Sequence, residues 1–372
     1  MKPSVVVVGA GVVGCTVAYQ LAKEGARVTV LEPRAPGQGA TRASAGILAP
    51  DIEGHGSSLL RMLGRRSLAM WDHFIAELRG DNHHDIVYQR NGTFELAFSD
   101  DDVHRLEELA AALKRDSIES RWLSPPQFDP IEPLAAKTAR GALLIPVHGF
   151  VGVTALTEAA AAAAQDYGAT LSSGTGAIRI FTMPSGRVGV EAVNAKWEAD
   201  RVVLAAGSWS SMITVQDADQ VPVKPIRGQL IQLKSRPGAI SRVVWGPDGY
   251  LVPWPDGSVL VGSTVEDVGF DERHTDDAVA RLRAAAASLV PELAKAEMTG
   301  VRTGLRPKGP DDLPMLGHSK VVPGLIYATA HYRNGVMFAP LTVKLVGDLV
   351  FDRAADSALA DLDPRRFSGV RL

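Results

Sequence analysis

The residues most able to do chemistry in this chain are glycines placed where backbone must come close to a charged group. Gly9-Ala10-Gly11-Val12-Val13-Gly14 has the spacing G-x-G-x-x-G, and Glu32 follows 18 positions after its last glycine. In that spacing Gly9 permits a tight turn, Gly11 admits a pyrophosphate to the backbone, and Gly14 lets a helix pack closely on a strand. The amides from Gly11 to Val13 and the positive helix end would carry the phosphates. Glu32, with Pro33 after it, stands where a carboxylate accepts ribose hydroxyls, and its charge argues against a 2′-phosphate and hence against NADP. The fingerprint therefore predicts a dinucleotide site.

Such a site needs a strand before the glycines and another before the acid. Residues 5–8 form a short β-branched run that reads as a buried parallel strand. Residues 12–23 have helical spacing through Val13, Val17 and Leu21, with Gly25 able to end them. Residues 27–31 form a second strand, closed by Glu32. Residues 36–50 are rich in Gly, Ala and Ser and read as a connecting loop rather than a core element. Further along, Ser99-x-x-Asp102 caps a helix predicted over 100–113 with Val103, Leu106, Leu109 and Leu113 on one face. Strands are expected at 93–98 and 141–145, and an alanine-rich helix over 153–167. Strands follow at 188–193 and 201–206, and 221–264 suits an antiparallel sheet. A helix is expected over 275–290, buried through Val279, Leu282, Ala286 and Leu289. A buried strand at 325–330 precedes a turn and a helix over 336–351. The fold class expected is α/β plus α+β. A Rossmann-like dinucleotide-binding domain would be assembled from 1–85, 148–218 and 300–372, with a mostly antiparallel substrate-binding domain from 86–147 and 219–299.

Two further glycine-rich strand ends favour a flavin dinucleotide over a nicotinamide one. Ala205-Ala206-Gly207 closes a buried strand, where backbone can pass near the cofactor. Gly335 and the amides after it open the last helix, and a positive helix end there would stabilise the anionic reduced flavin.

Composition narrows the classes. At 372 residues the chain exceeds the ~250–300 at which single cores divide. Hydrophobic residues at 46%, charged residues at 22% and a formal charge of −3 suit a globular protein, and point away from nucleic acid and anionic membrane as partners. The early apolar run is too short for a membrane span, and the glycine-rich turn that interrupts it, with no small-residue cleavage site after it, argues against a signal peptide. The one cysteine, Cys15, reads as a packed small residue and excludes an intrachain disulfide, which suits the cytoplasm. Asp81 with His83-His84-Asp85 reads as a polar loop, because adjacent histidines point apart and no spaced metal ligand follows. Asn91-Gly92 reads as a turn.

Several segments together carry a family likeness. They are the fingerprint with Glu32, Ala43-Ser44-Ala45-Gly46-Ile47-Leu48-Ala49-Pro50, Asn91-Gly92-Thr93-Phe94, and Val223-Lys224-Pro225-Ile226-Arg227-Gly228-Gln229. To these are added Gly304-Leu305-Arg306-Pro307, Asp311-Asp312-Leu313-Pro314 and His331-Tyr332-Arg333-Asn334-Gly335. Through them the chain resembles the glycine oxidase branch of the D-amino acid oxidase family, nearly end to end. The resemblance implies flavin contacts at Ala40, Thr41, Ala45, Gly46 and Ile47, and an adenine-side contact at Ala177. It also implies that His331, Tyr332, Arg333, Asn334, Gly335, Val336 and Met337 wrap the flavin.

For the substrate, an amino acid needs a fixed cation that leaves its amine free. Arg306 is the candidate, since a guanidinium grips a carboxylate with two parallel bonds. The resemblance places the hydroxyl of Tyr250 on the same carboxylate, and Arg333 at the flavin side or entrance, or in a structural ion pair. Val265 stands where some relatives carry a thioether. The implied activity is oxidative deamination of glycine, N-methylglycine or small D-amino acids. Hydride would pass from the α-carbon to flavin N5, giving an imine and then an oxo acid, ammonia and, with oxygen as acceptor, hydrogen peroxide. No residue is expected to act as general base, because the flavin carries the redox work. FAD is expected to be noncovalent, for no late cysteine exists to tether it. Two alternatives stay open: a D-amino acid or proline-type dehydrogenase passing electrons to a quinone or protein, and a non-catalytic flavin-binding assembly protein. The resembling enzymes are often homo-oligomers, and the oligomeric state is open.

Overall fold

The structure, a computed structural model, describes residues 2–53, 57–81, 84–176, 178–367 and 369–372. The valines of Ser4–Val8 explain the layering. Successive side chains of a strand point to opposite faces. Val5 and Val7 pack into one apolar cluster with the helices, while Val6 and Val8 pack into another. This strand lies fourth in a six-stranded sheet ordered Met315–His318, Leu325–Thr329, Arg201–Leu204, Ser4–Val8, Arg27–Glu32 and Thr170–Ser173. All its pairings are parallel except the edge strand Met315–His318. Helices Val12–Lys23, Val153–Asp166 and Ala339–Val350 contribute to the cluster on one face. The other face buries Ile180, Val188 and Val190 of a four-stranded sheet.

The second large sheet has eight strands, ordered Met298–Lys308, Lys224–Lys234, Ser258–Gly262, Gly249–Pro253, Val243–Gly246, Thr93–Ala97, Gly141–Ile145 and Arg121–Leu123. It is antiparallel except where Val243–Gly246 meets Thr93–Ala97. Helix Asp276–Leu289, capped by Thr275, packs Leu282, Ala286 and Leu289 on one face. Helix Asp100–Arg115 is entered through the expected capping box, Asp102 N donating to Ser99 Oγ at 3.1 Å and Ser99 N to Asp102 Oδ2 at 3.0 Å. The eleven-residue strand Met298–Lys308 crosses residue 300, where a domain boundary was expected. Among the described residues, no helix is long and apolar enough to cross a membrane.

Two expectations need correction. Residues 36–50 are not a surface connection. Ala45, Ile47 and Ala49 pack with Trp245, Tyr250 and Leu260 of the eight-stranded sheet, so the small residues there reflect close packing between layers. The helix after strand Leu325–Thr329 starts at Ala339 rather than at residue 336, and a short helix, Ala358–Leu362, follows it. Pro340, which has no N–H to give, fits only its first turn. Residues 335–338 form a preceding turn, in which Phe338 N donates to Asn334 O at 2.8 Å. The helix Ser58–Asp81, 24 residues long, was not singled out from the sequence.

Candidate active site

The C-terminal ends of the parallel strands, where ligands bind in open α/β sheets, open on a cavity of about 630 Å³. Gly9 has φ +106°, and a Cβ on it would lie 2.5 Å from Ala205 O. A Cβ on Gly14 would overlap the Gly9 carbonyl, so helix and turn touch only because both residues lack side chains. The Glu32 carboxylate accepts from Ala10 N at 2.8 Å and Arg34 N at 3.0 Å, which fixes it at the cavity wall. Thr41 Oγ1 accepts from Val12 N at 3.0 Å, so one amide at the helix start is already satisfied within the chain.

All the sequence-predicted residues except two line this one cavity: Gly9, Gly11, Val12, Val13, Glu32, Pro33, Ala40, Thr41, Ala45, Gly46, Ile47, Gly207, Tyr250, Arg306, His331, Tyr332, Arg333, Asn334, Gly335, Val336 and Met337. Gly14 acts behind the wall, through packing. Ala177 lies outside the described residues, between Gly176 and Ile178, both on the wall. His83 lies outside them too. Val265 is more than half exposed and does not face the cavity.

The turn after Leu325–Thr329 is built on two left-handed residues, Ala330 at φ +59° and Tyr332 at φ +48°. Such backbone costs an L-residue roughly 1–3 kcal/mol and persists where the surroundings hold it. Here Tyr332 N donates to Pro307 O at 2.9 Å and Asn334 N to His331 O at 2.8 Å. The amides of Gly335, Val336 and Met337 donate to nothing among the described residues, and all three residues line the cavity. Free amides and a glycine-floored strand-to-helix turn line the same cavity, and both are features that suit a dinucleotide.

His331 makes a checkable contribution to stability. Its Nε2 lies 3.0 Å from Thr342 Oγ1, and burial pushes its pKa down to about 4. An unfolded histidine titrates near ~6.5. Between those values the unfolded chain binds more protons, so stability falls as pH falls from about 6.5 to about 4, by up to about 3 kcal/mol. His148 adds the same sign, because burial lowers its pKa despite Asp51 beside it. His331→Asn is therefore expected to flatten, without abolishing, the acid dependence of the urea midpoint. An unchanged slope would show that the ring does not titrate this way.

Against the turn after Leu325–Thr329 runs strand Met298–Lys308, whose Pro307 O accepts from Tyr332 N, and it carries Arg306 into the same cavity. Its Nη1 donates to Thr264 O at 2.9 Å and its Nη2 to Ser263 Oγ at 2.8 Å. A Cβ on Gly228 would overlap the guanidinium, and one on Gly262 would overlap the Tyr250 hydroxyl. A Cβ on Gly304 would lie 2.7 Å from Ala43 Cβ. Glycine inside a strand marks such close approaches, a signal that could have found these three. Burial lowers the Arg306 pKa, and no carboxylate among the described residues pairs with it. Burial also raises the pKa of Tyr250, whose ring packs on Trp245 at 4.8 Å between centroids.

Arg333 does take an ion pair: its Nε lies 3.4 Å from Glu53 Oε2, and that carboxylate raises its pKa. Glu53 lines the cavity, is mostly buried, and its Oε2 has no hydrogen-bond partner among the described residues. It was missed from the sequence, as were Ser263 and the cavity-lining Arg34, Trp209 and Glu272. The cavity is lined by three guanidiniums, Arg34, Arg306 and Arg333, and three carboxylates, Glu32, Glu53 and Glu272; among the described residues Arg34 pairs with Glu272 and Arg333 with Glu53, whereas Arg306 takes no ion pair.

The comparisons agree with this geometry. The family model described as FAD dependent oxidoreductase matches residues 4–349. The chain is 32% identical to the glycine oxidase of Geobacillus kaustophilus over 98% of its own length and 97% of that protein. It is 29% identical to the hydrogen cyanide synthase subunit HcnC of Pseudomonas aeruginosa, over 98% and 96%. The crystal structure of the Geobacillus kaustophilus glycine oxidase superposes with a TM-score of 0.94, at 30% identity, covering 99% of this chain and 100% of that one. The chain belongs to the FAD-dependent oxidoreductase family, with FAD as its cofactor.

Proposed function

We propose that this chain is an FAD-dependent amino acid oxidase of glycine oxidase type. Its substrate would be glycine, N-methylglycine or a small D-amino acid. The observation that carries the reading is Arg306: a recessed guanidinium without an acidic partner among the described residues, in the same cavity as the dinucleotide turn. Arg306 holds the substrate carboxylate by two parallel charge-assisted bonds, with Ser263 Oγ and Thr264 O fixing the plane of the fork. The Tyr250 hydroxyl donates to the same carboxylate. Glu53 and Arg333 neutralise each other at the wall and leave Arg306 as the anchor. Held at one end, the substrate presents its α-carbon and neutral amine to the flavin, and positioning does most of the work. Bound FAD supplies the two-electron acceptor, and oxygen then takes the electrons to hydrogen peroxide.

The cofactor residues assigned above and the division into an FAD-binding and a substrate-binding unit belong to this proposal, with the strand Met298–Lys308 joining the two. So do a cytoplasmic location and noncovalent FAD: Cys15 is buried, its Sγ donating to Ala10 O at 3.3 Å.

The test is anaerobic mixing with glycine, N-methylglycine, D-alanine and D-proline, followed by admission of air. At least one is expected to bleach the flavin, and air to restore the colour with stoichiometric peroxide. Bleaching without peroxide would turn the reading to a dehydrogenase. No bleaching by any of them would end it.

A further inference from the structure

The segment between strand Ser258–Gly262 and helix Asp276–Leu289 leaves the eight-stranded sheet and returns to one residue. Gln229 N donates to Thr264 Oγ1 at 2.9 Å, and Thr275 N donates to Gln229 Oε1 at 2.8 Å. Residues 264–275 thus leave and rejoin the sheet at a common pinch, the form of an Ω-loop. The loop is filled from inside. Buried Arg227 pairs its backbone with Glu266 at 2.8 and 2.9 Å, and donates to the Glu266 carboxylate and to Arg273 O at 2.9 Å. Asp271 Oδ2 lies 3.1 Å from Arg227 Nη1. A stem braced in this way aims its tip in a fixed direction.

That tip reaches the nucleotide end of the cavity. Glu272 Oε2 lies 3.1 Å from Arg34 Nη1, two residues beyond Glu32. Phe270 packs on Trp209 at 5.9 Å between centroids, and the Arg34 guanidinium lies 4.5 Å from the Trp209 ring. Arg34 and Trp209 follow two strands of the six-stranded sheet, whereas Phe270 and Glu272 come from the eight-stranded one. Arg34, Trp209 and Glu272 all line the cavity. At its root the same loop holds the substrate-end arginine, through Ser263 Oγ and Thr264 O.

We propose that residues 264–275 form a strap across the FAD cavity and that Glu272 and Phe270 latch it to Arg34 and Trp209, so that the latch retains the cofactor. FAD leaves only when the latch opens. The inference concerns FAD alone, and it stands or falls independently of the amino acid substrate.

The experiment uses purified holoenzyme. FAD release is followed by flavin fluorescence after dilution into excess of an apoflavoprotein that captures it. The isosteric Glu272→Gln is expected to speed release by about threefold, the scale of one partly exposed ion pair. Glu272→Gln with Phe270→Ala, which also removes the ring contact, is expected to speed it by about tenfold. Salt at about 1 M screens exposed charges beyond ~3 Å, so it should speed the parent more than Glu272→Gln. The swap Arg34→Glu with Glu272→Arg should restore slow release. Circular dichroism checks that each variant is folded. A double variant that keeps its flavin as long as the parent overturns the latch. A swap that loses FAD faster than either single change also overturns it, because Arg34 would then hold the cofactor directly.

Discussion

Arg306→Ala is expected to weaken amino acid binding by ~2–5 kcal/mol, roughly a 30- to 4,000-fold rise in KM, with FAD still bound. The size follows from what the guanidinium is and where it sits. It is recessed enough for burial to lower its pKa, and no carboxylate among the described residues pairs with it directly, Glu53 acting on it only in part and through its pair with Arg333. A ligand carboxylate would supply the missing partner in a setting where charge-assisted pairs are strong. Removing the fork leaves the ligand's carboxylate with the Tyr250 hydroxyl alone. It also leaves Thr264 O and Ser263 Oγ without their donor and opens a void over Gly228. Arg306→Lys keeps the charge and loses the planar fork, so it should fall between parent and alanine. Steady-state kinetics with the best substrate, together with the flavin-to-protein absorbance ratio, check this. A KM within twofold of the parent would remove Arg306 from the substrate site.

The second large effect is at the cofactor. Gly14→Ala adds one methyl group in a place already filled by the Gly9 carbonyl. The turn cannot yield easily. Gly9 N donates to Leu31 O at 2.8 Å, and on its other side Gly9 faces the Ala205 carbonyl. Overpacking of this kind costs roughly 1–3 kcal/mol. The displaced atoms are those that would receive the diphosphate, so most of the cost should appear as lost FAD affinity, about 5- to 150-fold. Gly80→Ala is the control. It lies near the end of helix Ser58–Asp81, and a Cβ there meets nothing within 4 Å. Alanine there should leave FAD binding alone and stabilise the helix by up to about 1 kcal/mol. Titration of the FAD-depleted proteins with FAD gives both constants. Equal affinities for parent and Gly14→Ala would mean that the turn does not carry the dinucleotide.

What the residues determined alone were the features set by near neighbours. The helix Val12–Lys23 has the predicted bounds, as does the strand Gly141–Ile145, and Ser99 with Asp102 forms the predicted capping box. Each rests on steric or hydrogen-bonding rules acting over a few residues, which an amino-acid pattern states directly. The glycine fingerprint belongs here too, because strand, turn and helix are contiguous. Most cofactor positions were implied by resemblance, and those among the described residues line one cavity, Gly14 apart.

Tertiary structure decided the rest. The small residues of 36–50 read as a loop, yet they are packed between two layers, and composition cannot distinguish exposure from close packing. Glu53 meets Arg333, and Glu272 meets Arg34, across separations of 280 and 238 positions that no local pattern links. Gly228 and Gly262 make room for Arg306 and Tyr250 because strand register puts them under those side chains. Local sterics are written in adjacent residues, whereas the partners of a charge depend on how two sheets close upon each other, and that is fixed only when the whole chain has folded.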